Sequence, residues 1–209
     1  MKKILLTCFK PFGGEKINPS EEAVGLVKAP LGCELKRVCL PVSWREARER
    51  LFDTIDSFSP DVVIMTGQAG GSSSIRVERV AINLCGAIKD EDGFYPGMSK
   101  LPAELPIREG APAAYFSTVD CKRIQKALKE ENIPAELSYS AGTYICNCVL
   151  FSALDKFACE GKNATAGFIH LPYADCQRAG VPTLGVGVMA RALETVLAQI
   201  IMGEKLCED

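Results

Sequence analysis

Short apolar runs alternate along the chain with segments whose apolar residues recur every three or four positions. The runs KKILLTCF, DVVIMTG and ATAGFIHLP are rich in aliphatic residues, which is typical of strands buried inside a sheet. The segment CELKRVCL alternates between apolar and polar residues and predicts a further strand. Because strands and helical segments alternate, the pattern predicts a largely parallel sheet covered by helices on both faces.

Helix start signals lie between these strands. Asn18 followed by Pro19, and Ser43 followed three residues later by Glu46, are N-terminal capping patterns. Asp120 has the same capping role before CKRIQKALKEEN. Two more helices are predicted, one that begins near Tyr144 and one from about Leu184 to Ile201.

The remaining segments complete the predicted order of elements. The segments SIRVERVAINL, AAYFSTV and AELSYS favour three more strands. Residues 86–110 are polar and rich in Gly, Pro and acidic side chains, which predicts a long surface loop. Loops of this length inside a compact fold are often functional.

Length and charge limit the class of protein. The chain has 209 residues, which is long enough for one α/β domain with a sizeable core, so we expect one domain over residues 1–209. The formal net charge is −2, with 24 basic and 26 acidic residues. The sequence has no basic patch, so we expect no nucleic-acid partner.

Two apolar segments could be mistaken for membrane or export signals. The run from Ile4 to Phe9 is shorter than the apolar core of a signal peptide and lacks a following cleavage site. The C-terminal apolar segment carries Arg191 and Glu194 near its middle, which makes it a poor membrane span. We therefore expect a cytoplasmic protein that does not bind a membrane.

The cysteine pattern does not resemble that of a disulfide scaffold or a zinc site. The chain has ten cysteines, including Cys207 near the C-terminus, but it has no Cys-x-x-Cys motif and only one histidine. Cys146 and Cys148 are the closest pair. A reducing compartment would keep such thiols free, and we expect no metal site.

Three residues are candidates for nucleophilic chemistry. Cys146 stands at a predicted helix start, where the helix dipole favours a thiolate. His170 ends a predicted strand and is the only ordinary general base, and Glu78 could orient its imidazole. Each also has a structural interpretation: a buried cysteine acts as a small apolar residue, and Glu78 could pair with Arg76 or Arg79.

Two loops at predicted strand ends could form a pocket. Phe9 and Phe12 flank Pro11 ahead of the pair Gly13-Gly14, so their rings could wall a small flat cavity or belong to the core. The segment TGQAGG ends another strand in glycines but lacks the lysine of a P-loop. Backbone groups exposed there would suit a neutral amide.

Six blocks make the chain resemble pyroglutamyl peptidase type I, a family of cysteine peptidases. They are PFGGEKINPS, GQAGG, ERVAIN, PAAYFST, SAGTYICN and IHLPY, and they occur in the family's order across nearly the whole chain. The resemblance implies one α/β/α sandwich with a central mixed, largely parallel sheet. It implies cofactor-independent removal of an N-terminal pyroglutamyl residue from peptides, and a homo-oligomer that is a dimer or a tetramer.

The resemblance also implies roles for individual residues. It places the nucleophile at Cys146, the base at His170 and the acid at Glu78, acting through an acyl-enzyme. Five residues match positions that form or adjoin the family's substrate pocket: Phe9, Phe12, Gln68, Tyr144 and Ile145. Cys148 is then expected to be a helix residue without a catalytic role.

The substrate's chemistry agrees with this set of residues. Pyroglutamate is a neutral lactam without a free amine, so aromatic walls and a few hydrogen bonds would select it. A site that satisfies the lactam carbonyl rejects proline, because proline would leave a buried donor unpaired.

The chain departs from the family pattern at three positions. Cys8 and Tyr144 replace the usual Gly and Phe, and Ile88 stands where an Arg is common. Two other functions are therefore kept as alternatives. One is a thiol hydrolase for another small cyclic or acyl amide, and the other is a catalytically silent homologue that binds pyroglutamyl peptides or serves as a scaffold.

Overall fold

The computed structural model describes residues 1–205, and its centre is a six-stranded sheet. The strands are, in chain order, β1 (Lys2–Phe9), β2 (Cys33–Leu40), β3 (Val62–Gln68), β4 (Ile75–Glu78), β5 (Val80–Ile82), β6 (Ala114–Phe116), β7 (Ala135–Ser138), β8 (Thr165–Leu171), β9 (Tyr173–Ala174) and β10 (Thr183–Leu184). The central sheet has the order β2-β1-β3-β8-β4-β7, and β4 and β8 are its antiparallel pair. Cys207 lies outside the described residues.

Helices cover both faces of this sheet. They are α1 (Pro19–Leu26), α2 (Glu46–Phe58), α3 (Cys121–Glu130), α4 (Ile145–Glu160) and α5 (Val186–Lys205). Helices α1, α3 and α5 share one apolar cluster with one side of the sheet, while α2 and α4 share a second cluster with the other side. The predicted three-layer sandwich with a mixed, largely parallel sheet is confirmed.

The N-terminal caps agree with the capping patterns in the sequence. The Asn18 side chain accepts a hydrogen bond from the Ser20 N–H at 3.0 Å, and the Asp120 carboxylate accepts one from the third residue of its helix. Ser43 accepts a bond from the Glu46 N–H at 3.3 Å, although regular helix begins only at Glu46. These side chains satisfy N–H groups that the first helical turn leaves unpaired.

The prediction of one strand over residues 74–84 was wrong, because the chain divides there into β4 and β5. The Arg79 N–H still bonds to the Ser138 carbonyl of the central sheet at 2.8 Å, and β5 then pairs with β6 in a separate sheet. The Asn147 side chain of α4 accepts from the Ile82 N–H and donates to the Ile82 carbonyl, both at 2.9 Å. This amide therefore pairs both backbone groups of Ile82 and holds β5 against α4, outside the central sheet.

Residues 86–110 form the predicted long loop, with one 3-10 turn at Pro96–Met98. The loop is anchored to the chain just before α2 and to the start of α4. The Trp44 indole donates to the Ile88 carbonyl at 2.9 Å, and the Trp44 N–H donates to the Asp90 carboxylate at 3.0 Å. The Tyr144 hydroxyl adds a bond to the Lys89 carbonyl at 3.2 Å.

Helix α5 has the length and composition of a membrane span, and it packs one apolar side against the sandwich, with 39% of the stretch Val186–Gly203 buried. This stretch has a mean hydropathy of 1.4. Leu193 and Val196 are fully buried in the cluster that α5 shares with α1 and α3. Glu194 also accepts a hydrogen bond from the Lys28 N–H at 2.8 Å, which ties α5 to the segment after α1.

Candidate active site

The three candidate chemical residues meet above the carboxyl ends of β3 and β8. His170 of β8 is paired with Gly67 of β3, and Phe168 is paired with Glu78 of the antiparallel strand β4. Glu78 and His170 are therefore diagonal neighbours on one face of the sheet, a spacing that long side chains can bridge.

The His170 Nδ1 and Glu78 Oε1 atoms lie 2.8 Å apart. The Glu78 side chain is fully buried, and that of His170 is 9% exposed. The other carboxylate oxygen, Glu78 Oε2, has no hydrogen-bond partner within residues 1–205. The ion-pair alternative for Glu78 was wrong, because Arg76 pairs with Glu136 at 2.9 Å and the Arg79 guanidinium lies over the Tyr139 ring.

Cys146 occupies the second position of α4 and points toward the same strands. A Cβ atom added to Gly67 would lie 3.0 Å from Cys146 Sγ and 3.0 Å from the Phe168 ring. Since Gly67 is the register partner of His170, the thiol lies directly above this strand pair. The absence of a side chain at Gly67 is what leaves room for the sulfur.

The electrostatic surroundings favour the charged form of His170. Burial alone would lower the pKa of His170, but a hydrogen bond and charge interaction with Cys146, together with Glu78, raise the pKa to about 9. The imidazole therefore holds a proton firmly at neutral pH, between the Cys146 sulfur and the Glu78 carboxylate.

A cavity of about 260 Å³ opens in front of Cys146 and His170. It is lined by Phe9, Phe12, Asn18, Val42, Gln68, Ala141, Tyr144, Ile145, Cys146 and His170. The structure thus brings all five predicted pocket residues together around the thiol and the imidazole. Glu78 lies behind His170 and does not line the cavity.

Sequence reasoning missed three lining residues: Asn18, Val42 and Ala141. Asn18 was identified only as a helix cap, and its amide does cap α1 while its NH2 group donates to the Lys10 carbonyl at 3.1 Å. Val42 and Ala141 are small apolar residues in connecting segments. No pattern along the chain distinguishes such residues from ordinary core positions.

The two phenylalanines differ in their surroundings. Phe9 is 3% exposed and belongs to the apolar cluster under α2 and α4 as well as to the cavity wall. Phe12 is only partly buried and packs against the edge of that cluster. Phe9 is therefore both core and pocket, whereas Phe12 is mainly a pocket residue.

Only one of the three departures from the family pattern reaches the cavity. Tyr144 lines it, and its ring meets Trp44 edge-on with 5.3 Å between the centroids. Burial, followed by the nearby Asp90 carboxylate, raises the pKa of Tyr144, so its hydroxyl stays protonated. Cys8 is buried in the opposite cluster beside Cys39, and the Ile88 side chain is 44% exposed on the loop.

Cys148 lies in different surroundings from Cys146. It is 3% exposed and borders a separate cavity of about 150 Å³ together with Cys85. All nine cysteines within residues 1–205 are free thiols. The same part of the chain contains no group of three or more His, Cys, Asp or Glu side chains that could hold a metal ion.

Comparison with known sequences identifies the family. The sequence profile of the family described as pyroglutamyl peptidase matches residues 2–205. The chain is 43% identical over 202 residues to the pyrrolidone-carboxylate peptidase of Thermococcus kodakarensis, covering 95% of each chain. It is 41% identical to the enzyme of the same name from Escherichia fergusonii, covering 94% of this chain and 92% of that one.

Solved structures agree with this assignment. The pyrrolidone carboxyl peptidase of Thermococcus litoralis superposes with a TM-score of 0.92 at 35% identity, covering 100% of this chain and 97% of that one. Pyroglutamyl peptidase I from Bacillus amyloliquefaciens gives 0.87 at 37% identity, covering 95% and 94%. Sequence, fold and coverage together show that this chain belongs to the pyroglutamyl peptidase family of cysteine peptidases, which remove N-terminal pyroglutamate.

Proposed function

We propose that Cys146, His170 and Glu78 form the triad with which this pyroglutamyl peptidase removes an N-terminal pyroglutamyl residue from peptides. The observation that carries the proposal is their geometry. The 2.8 Å contact between Glu78 and His170 lies behind a cavity whose wall includes both Cys146 and His170. A nucleophile, a base and a group that orients the base are the three parts that acyl transfer by a thiol requires.

The first step forms a thioester. His170 holds the proton that the Cys146 thiol gives up, and the sulfur attacks the carbonyl carbon of the pyroglutamyl residue. Because its pKa is raised to about 9, the imidazole keeps this proton through the attack. As the tetrahedral intermediate collapses, the C–N bond breaks and His170 gives the proton to the leaving amine.

The second step hydrolyses the thioester. A water molecule loses a proton to His170 and attacks the acyl carbon, and the proton then returns to the departing sulfur, which regenerates the free thiol and releases pyroglutamate. The backbone N–H of Cys146 belongs to the first turn of α4, where N–H groups have no helical partner. It would donate to the oxyanion in both steps.

Substrate selection follows from the pocket. A cavity of about 260 Å³ suits a five-membered lactam, and the rings of Phe9 and Phe12 would cover its apolar atoms. The Gln68 amide supplies a neutral polar group at the end of β3, and Tyr144 and Ile145 close the side next to Cys146. No charged partner is needed, because the lactam has no charge.

The test measures pyroglutamate release from a fluorogenic pyroglutamyl amide together with mass spectrometry of the enzyme. We expect release that iodoacetamide abolishes, with the label on Cys146. A rapidly quenched reaction should show the mass of a pyroglutamyl thioester on the peptide containing Cys146. Turnover of another small cyclic amide but not of the pyroglutamyl amide would contradict the proposed substrate. Turnover that survives alkylation of Cys146 would contradict the triad.

We also propose that residues 1–209 act as one peptidase domain in the cytoplasm, as a dimer or tetramer. The free thiols of residues 1–205 suit a reducing compartment, and α5 is used in the core rather than exposed to lipid. The assembly rests on the family resemblance. Light scattering of the purified protein would measure it, and a monomer at working concentration would contradict it.

A further inference from the structure

Gln177, in the segment between β9 and β10, links three groups near the candidate pocket. Its side-chain oxygen accepts a hydrogen bond from the Ala174 N–H at 2.8 Å. Its NH2 group donates to the Gln68 side-chain oxygen at 2.8 Å and to the Ile17 carbonyl at 3.3 Å. Gln177 thus joins the end of β3 to the loop that carries Phe12.

The backbone partners determine which way both amides face. A backbone N–H can only donate and a backbone carbonyl can only accept, so the Gln177 oxygen must face Ala174 and its NH2 group must face Ile17. The same NH2 group meets Gln68, which must then present its oxygen. The Gln68 NH2 group is consequently turned away from Gln177, although an isolated glutamine could adopt either orientation.

Gln68 lines the candidate pocket, and its NH2 group donates no hydrogen bond to any residue in the described part of the chain. A neutral donor at this wall matches a ring carbonyl oxygen. Proline lacks that oxygen and would leave the donor unpaired, which is how a polar site rejects an apolar analogue.

We infer that Gln177 is a specificity-determining positioning residue, which holds the Gln68 amide so that its NH2 group donates to the lactam carbonyl of the substrate. Gln177 itself lies outside the pocket wall and acts through Gln68. The inference rests on the proposed function, since the lactam is the substrate of that proposal. It adds a residue whose contribution is orientation rather than contact.

Arg178 offers a matched control next to Gln177 in the chain. Its guanidinium pairs with Glu15 at 2.6 Å and lies over the Tyr173 ring. It therefore ties the same segment to the same loop without touching Gln68. Arg178→Gln removes this tether and leaves the two glutamine amides unchanged.

The experiment compares Gln177→Glu, Gln177→Met and Arg178→Gln on pyroglutamyl and prolyl amides with the same fluorogenic leaving group. A glutamate at position 177 still offers an oxygen to the Ala174 N–H. Its second oxygen faces Gln68 and can only accept a hydrogen bond, so the Gln68 amide should turn its NH2 group toward it and away from the pocket. We expect pyroglutamyl kcat/KM to fall on the order of 10- to 100-fold in Gln177→Glu, chiefly through KM. The loss of pyroglutamyl kcat/KM should be smaller in Gln177→Met. Arg178→Gln should keep the wild-type ratio of pyroglutamyl to prolyl kcat/KM.

A double-mutant cycle with Gln68→Ala separates orientation from general damage. If Gln177 acts only through Gln68, Gln177→Glu should change pyroglutamyl kcat/KM by less than about 2-fold once Gln68 is alanine. A merely structural role would persist in that background. Melting temperatures identify any variant that fails to fold. If Gln177→Glu does not fold, the cycle is repeated with Gln177→Met, whose side chain is neutral, in place of Gln177→Glu.

The outcome can be distinguished from failure of the proposed function. An inactive wild type, or an active Cys146→Ala, would overturn the triad whatever the Gln177 variants do. An active, Cys146-dependent wild type with an unchanged pyroglutamyl-to-prolyl ratio in Gln177→Glu would overturn only the role of Gln177. Equal losses in Gln177→Glu and Arg178→Gln, or an undiminished loss in the Gln68→Ala background, would also overturn it.

Discussion

The two faces of the central sheet are built from the same strands but differ in what they can do. Along β8, Ile169 and Leu171 enter the continuous apolar cluster under α1, α3 and α5. On the other face of β8, Phe168 is buried in the apolar cluster under α2 and α4. The next residue on that face is His170, and its imidazole contacts the Glu78 carboxylate rather than an aliphatic side chain. Both faces are buried, so burial alone does not separate core from site.

The difference arises where a helix begins. Helix α4 starts above the ends of β3 and β8, and its first turn brings Cys146 against the backbone of Gly67. On the opposite face, α5 buries aliphatic residues such as Leu193 and Leu197 in one continuous apolar cluster with α1 and α3. A helix start over the strand ends leaves space and unpaired N–H groups, whereas a helix body leaves neither.

The largest effect should come from Cys146→Ala compared with Cys148→Ala, two residues apart on the same helix. Removing the nucleophile should lower kcat by roughly 10⁴- to 10⁶-fold, because no other group can form the thioester. Cys148 is buried against Cys85, so its alanine variant should lose some stability but keep most activity. Steady-state rates and melting temperatures measure both effects. Loss of activity in folded Cys148→Ala alone would show that the other thiol is the nucleophile.

His170 and Glu78 should show unequal effects. His170→Ala removes the only imidazole and should approach the loss seen for Cys146→Ala. Glu78→Gln keeps the shape but loses a charge that stabilises the imidazolium, so we expect a smaller loss, on the order of 10²- to 10⁴-fold. The alkaline limb of kcat/KM should also move to lower pH in Glu78→Gln. Full activity in His170→Ala would contradict a role for this pair.

The raised pKa of His170, to which Cys146 contributes first and Glu78 second, also predicts a pH dependence of stability. The pKa of His170 is raised from 6.5 to about 9 in the folded chain, so its stabilising contribution is complete below pH 6.5 and disappears as pH rises through about 9. The difference in free energy of unfolding between wild type and Glu78→Gln should therefore shrink over this window. Denaturant titrations at several pH values measure it, and a difference that grows with pH would contradict the assigned sign.

Ile169 is next to His170 in the chain but lies on the opposite face of the sheet, so Ile169→Ala tests that face. Ile169 is fully buried among aliphatic side chains, so its truncation should lower the free energy of unfolding by about 2–4 kcal/mol. Activity per folded molecule should stay close to wild type, because the side chain points away from the cavity. Dividing the rate by the folded fraction, taken from the unfolding curve, corrects for unfolded enzyme. A loss of kcat without a loss of stability would show that the two faces are coupled.

The smallest effect should come from the aromatic wall. Phe12→Ala should lower the pyroglutamyl-to-prolyl ratio of kcat/KM by roughly 10-fold, less than the full ~1.5–3 kcal/mol of burying an aromatic side chain, because the prolyl ring loses part of the same contact. Phe9→Ala should lower both this ratio and the melting temperature, since Phe9 also belongs to the core. An unchanged ratio in both variants would refute the wall, even if both variants melt earlier.

Much of the fold could be predicted from local sequence. Period-two and aliphatic runs predicted the central strands, and caps such as Asn18 and Asp120 predicted helix starts, because both depend on neighbouring residues. The division of residues 74–84 at Arg79 could not be predicted. It depends on Asn147, more than sixty residues further along the chain, whose amide pairs with Ile82.

The candidate site divides in the same way. Cys146, His170, Glu78 and the pocket residues could be named from sequence, because the family resemblance rests on short blocks around them. The 2.8 Å contact between Glu78 and His170, the space left by Gly67 and the link from Gln177 to Gln68 were decided by the tertiary structure. Each joins residues far apart in the chain, and only strand register and backbone partners determine whether such side chains meet and which atoms face each other.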